Sequence, residues 1–115
     1  MVRGPFGREK VHRYEQWRNP EAELGGVVKI SGSFILDHEE DILNLVKHEG
    51  KMAEERNSNM RLRKIEKSEG GILVETTDHN LALRIGKALH RAYKGEHSFN
   101  FREGEKFAEV FWRRD

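Results

Sequence analysis

Arg84, Lys87, Arg91 and Lys94 recur at spacings of three, four and three residues inside HNLALRIGKALHRAYKG, a stretch that contains no acidic residue. At about 100° per residue that spacing gathers the four cations on one side of a helix, predicted here over His79–Gly95. Leu81, Ile85, Ala88, Leu89 and Ala92 gather on the other side. A helix face built only for solubility mixes signs, with Glu and Lys one turn apart. A row of one sign in a chain whose net charge is only +1 is a local feature. The chemistry it suits is contact with the phosphates of a polyanion such as RNA.

Nucleic-acid contact also calls for rings on which bases can stack, and two alternating rows supply candidates. His97, Phe99 and Phe101 share one face of a predicted strand; Ala108, Val110 and Trp112 share one face of the next. A domain of this size needs aromatic volume in its core, which assigns the two phenylalanines to the interior. Trp112, followed by Arg113 and Arg114, is then the stacking candidate, with both arginines as further phosphate ligands.

Other chemistries find less support. Asp37, His38, Glu39, Glu40 and Asp41 hold metal-ligand side chains, but acids in the first turn of a helix complement its dipole and cap its amides. There is neither an HExxH nor a paired-histidine spacing, and cysteine is absent, which excludes thiol catalysis, disulfides and cysteine zinc sites. No GxSxG, no phosphate-cradling GxxxxGKS/T and no GxGxxG after a strand is present. The expectation is a protein that is not an enzyme and carries no cofactor or metal.

The elements that must position these residues follow from periodicity. Val27–Ile30 reads as a strand. Asp37 with Glu40 matches a capping box that opens a helix running to about Arg56. Met60–Lys67 alternates, then slips by one position near Arg63 and Lys64, as an edge strand with a bulge does. Ile72, Leu73 and Val74 follow the turn Ser68–Gly71 and suit a central strand covered on both faces. Asp78, or Thr77 before it, caps the basic helix, and Gly95 stops it. His97–Phe101 and Phe107–Arg113 complete the set. The order is that of an α+β, ferredoxin-like split βαβ sandwich (βαββαβ) with an extra C-terminal strand.

Residues 1–24 read as a basic, flexible arm, with Arg3, Arg8, Arg13 and Arg18 for phosphates and Trp17 for stacking; 25–115 read as one domain. Formal charge is +3 over residues 1–19, −5 over 20–58 and +3 over 59–115, so anion contacts are expected at the two ends. No apolar run resembles a signal-peptide core or approaches the roughly 20 residues of a membrane span. A soluble, cytoplasmic protein without a membrane partner is expected.

Ile72–Glu96, ILVETTDHNLALRIGKALHRAYKGE, together with Asp41–Glu49, DILNLVKHE, resembles a family of small, little-characterised prokaryotic proteins that carry an N-terminal zinc ribbon ahead of this domain. That family is more distantly similar to the adaptor that escorts the large ribosomal subunit from the nucleus. The similarity covers residues 25 to 114. The ribbon's cysteines are missing here, so zinc-dependent activity is not implied. What the resemblance implies is an RNA or ribosome-associated role carried by Arg84, Lys87, Arg91 and Lys94. The alternative partner for the same row is a protein presenting an acidic helix or tail.

Overall fold

The computed structural model describes residues 24–102, 104 and 106–115, so the arm assigned to residues 1–24 lies outside it except for Leu24. Strand β1, Gly26–Ser31, alternates as expected: Val28 and Ile30 are buried while Lys29 faces solvent. Helix α1 follows at Phe34–Arg56, then strands β2, Leu62–Ser68, and β3, Gly71–Thr76. Helix α2 spans His79–Tyr93, and strands β4, Glu96–Arg102, and β5, Phe107–Arg113, end the order. The protein is α+β, with two helices and a five-stranded mixed sheet ordered β2-β3-β1-β5-β4.

In the first half of the chain β3 lies between β1 and β2 and is antiparallel to both. In the second half the hairpin β4–β5 places its later strand beside β1, parallel to it, and leaves β4 at the edge. The extra strand expected after a ferredoxin-like βαββαβ order is therefore taken up inside the sheet. β5 occupies the position next to β1 because it carries the row Ala108, Val110 and Trp112, which continues the buried rows of β1 and β3.

Three expectations are corrected here. Helix α1 starts at Phe34, and the acidic run falls at a break: His38 leaves helical geometry at φ −129°, ψ 21°. Ser33 is the N-cap and makes no side-chain cap bond. The turn before the break is held by packing, with the His38 ring stacked on Phe34 at 3.9 Å. Strand β3 is covered on one face only, so Ile72, Val74 and Thr76 are buried while Leu73 is half-buried on the other side. Trp112 is wholly buried, whereas Phe99 and Phe101 are exposed. The slip near Arg63 and Lys64 is a register shift in edge strand β2, as the sequence indicates.

The core joins Val28, Ile30, Ile65, Ile72, Val74 and Val110 of the sheet to Ile42 and Val46 of α1 and Leu81, Ile85 and Leu89 of α2. Glycines set the helix–sheet contacts. A Cβ at Gly86 in α2 would fall 2.6 Å from Val110 Cγ1 and 2.8 Å from His97 Nε2, and one at Gly50 in α1 would fall 2.6 Å from Leu62 Cγ. Val110 is β-branched, stiff at χ1 and fixed in the sheet, whereas Leu62, with no β-branch, can clear Gly50 by a change of χ1. Gly86→Ala is thus expected to lower unfolding free energy on the order of 1 kcal/mol despite alanine's higher helix propensity, with Gly50→Ala closer to neutral. Urea titrations of the two variants measure the difference.

Candidate nucleic-acid interface

Helix α2 is the element that positions the cations, and its start is fixed by side-chain chemistry. The Asp78 carboxylate accepts the Asn80 backbone N–H at 2.7 Å, and Thr76 Oγ1 donates to the Asp78 carbonyl at 2.8 Å. At the other end the Lys94 N–H donates to the His90 carbonyl at 2.8 Å, and φ values of +61° at Lys94 and +90° at Gly95 turn the chain out of the helix.

The fold sorts the seven proposed contact residues into different environments. Arg84 faces α1, where its Nε donates to Glu49 Oε1 at 2.7 Å. Its guanidinium is a helix–helix tie, half-buried with its partner. Arg113 pairs with Asp115 at 3.1 Å. The Ser33 backbone N–H and Arg113 together hold the Asp115 carboxyl below its ordinary range. Arg114 lies over the Phe34 ring at 4.2 Å and donates to the Tyr93 carbonyl at 2.7 Å, closing the end of α2. Trp112 is 0% exposed and its Nε1 donates to the Lys94 carbonyl at 2.6 Å, so it has no face for a base. Lys87, Arg91 and Lys94 remain exposed, and no ion pair among the described residues engages them.

Two rings that the sequence assigns to the interior lie instead exposed on β4, the edge strand that packs against α2. Phe99 is 50% and Phe101 41% exposed on β4, on the face of the sheet that carries the helices, opposite Val110 and Ala108. His79 of α2 meets Phe101 at 4.9 Å, while His97 sits 6.2 Å from Phe99 and 5.8 Å from His90. Gly86 lets β4 approach α2 this closely. His97 is half-buried, and its buried Nε2 has no hydrogen-bond partner among the described residues. Burial first, then the charges of His90 and Lys87, push its pKa below the ordinary histidine value. The stacking of His90 on His97 brings the exposed side of α2 against the β4 aromatic row. The alternation of β4 is visible in the sequence; its position at the sheet edge, which exposes it, is not.

Among the described residues no group of three or more His, Cys, Asp or Glu side chains is arranged to hold a metal, and no helix is long and apolar enough to cross a membrane. The acidic run is partly spent on structure, with Glu39 pairing Lys67 at 2.8 Å. In comparisons with known proteins, no family model matches the chain, and no curated protein or solved structure does.

Arg84→Gln is expected to cost roughly 1 kcal/mol of stability, because Glu49 keeps its half-buried position without a partner, and to leave nucleic-acid affinity unchanged. Paired denaturation and RNA titrations separate the two effects. For His97 the neutral ring is favoured in the fold, so the unfolded chain takes up the proton first once pH drops below 6.5. The group's effect is absent above that value, and stability falls as pH is lowered from it through the depressed folded value. Melting temperatures of wild type and His97→Gln across this range should converge in their pH dependence only above it.

Proposed function

We propose that this protein is a non-enzymatic RNA-binding module, ribosome-associated and cytoplasmic. On this reading it holds phosphates through Lys87, Arg91 and Lys94 and stacks unpaired bases on Phe99 and Phe101. The observation that carries the reading is the juxtaposition of two exposed phenyl rings on β4 with a helix that contains no acid and presents three cations unpaired among the described residues. Cations tracking a backbone beside rings that accept any base is the arrangement that single-stranded RNA requires. An acidic protein segment, the other partner that suits the row, uses the cations but has no need of the two rings. The accompanying fold reading is a ferredoxin-like sandwich with one extra strand, supported by the position of β3 between β1 and β2.

The test is titration of single-stranded RNA, with ribosomal RNA as the first native candidate, by fluorescence anisotropy at several salt concentrations. Changing Lys87, Arg91 and Lys94 together to Gln should weaken binding and reduce the slope of log affinity against log salt by roughly 0.7 to 0.9 for each phosphate no longer neutralised. Phe99→Ala and Phe101→Ala should each cost about 1–3 kcal/mol with little change in that slope. A folded triple variant with unchanged affinity and slope overturns the reading.

A further inference from the structure

The two edges of the sheet are built differently. Edge strand β2 is protected: a register shift between Leu62 and Lys64 bends it, and Arg63, Lys64, Glu66 and Lys67 charge it. These are the devices by which proteins keep a strand edge from pairing with another chain. Edge strand β4 has none of them along its length between the terminal positions. Its interior, His97–Phe101, contains no charged residue, no proline and no glycine. It pairs regularly with β5 over seven residues without a register shift, and among the described residues it pairs with no other strand.

The sequence of β4 also complements itself. In an antiparallel pair of two β4 strands centred on Phe99, Phe99 faces its own copy across the two-fold axis and Ser98 faces Asn100. A two-fold, isologous contact needs a patch complementary to itself, and this register sets an aromatic pair at its centre with no like charges opposed along His97–Phe101. We infer that β4 is a homodimer interface at which two copies pair edge to edge, antiparallel about Phe99, and form one sheet continuous through both. The pairing uses main-chain groups at the edge and brings each Phe99 against its copy on the helix side of the sheet. It does not rest on the RNA reading.

The chain has no cysteine, which makes single-cysteine trapping direct. Self-paired residues of antiparallel strands have Cα atoms about 4.5–5.5 Å apart, within disulfide reach. In the full-length protein under oxidised glutathione, Phe99→Cys should crosslink to its own copy far faster than the exposed control Glu54→Cys. Ser98→Cys and Asn100→Cys should each trap slowly alone and rapidly when mixed. By sedimentation velocity the wild type should show a concentration-dependent dimer. Ser98→Lys combined with Asn100→Lys, both at exposed positions, should shift it to monomer by opposing like charges, and Ser98→Lys combined with Asn100→Glu should retain it. Circular dichroism checks that each variant folds. A wild type that stays monomeric at every concentration overturns the inference. So does a dimer indifferent to Ser98→Lys combined with Asn100→Lys, or a Phe99→Cys that crosslinks no faster than the control.

Discussion

The hydrogen bond from the buried Trp112 indole to the Lys94 carbonyl, 2.6 Å long, is the joint around which the other parts are placed. It ties the end of α2 to β5 at the point where the chain must leave the helix and enter β4. An indole N–H buried without an acceptor is costly, and so is an orphan helix carbonyl; each satisfies the other here. Phe34 packs edge-on against the same indole at 6.1 Å and against Tyr93 at 5.4 Å, and Arg114 covers Phe34 from outside. Burial, aided by the charge of Asp41, raises the Tyr93 phenol above its ordinary pKa. The start of α1 is bound into the same assembly, since the Phe34 N–H donates to the Arg114 carbonyl at 3.0 Å. Three separate elements thus meet on one tryptophan.

That joint explains why neighbouring cations have different roles. Arg114 is drawn onto Phe34 and the last carbonyls of α2 because the joint leaves an aromatic face and unsatisfied oxygens within its reach. Arg84, ten residues before Lys94, turns to Glu49 because α1 crosses that side of α2. Lys87 and Arg91 are exposed and keep their charge in water. The open face of the sheet is different again. There Lys29 pairs with Glu109, and Arg63 with Glu75, so its charges are internally matched and Phe111 lies under Lys29. Among the described residues, Lys87, Arg91 and Lys94 on the helix side have no ion-pair partner.

Local signals in the sequence are reliable where the physics is local. The Asp78 cap, the Gly95 stop and the slip at Arg63 and Lys64 depend on residues a few positions apart, and each has its structural counterpart. The start of α1 is not legible in the same way, because Phe34 and His38 stack to hold a turn that no capping residue announces. The exchange of roles between Trp112 and the two phenylalanines has a non-local cause. Two strands with equivalent alternation differ only in which lies beside β1, and strand order is not written in either strand. The partner of Arg84 is hidden for the same reason, since Glu49 is 35 residues away.

The parallel pairing of β1 with β5 joins Gly26 to Ala108 and Ile30 to Trp112, contacts that span most of the described chain. Pairings this remote close slowly, because the loop entropy is lost before the contact returns anything. During synthesis, β1 leaves the ribosome long before its neighbour exists, so its β5-facing side, with Val28 and Ile30 half covered, must wait for nearly the whole domain to be translated. The β2–β3 hairpin and the two helices can form early. The sheet closes only when Trp112 arrives, which makes the last strand the step that commits the nascent chain to its fold.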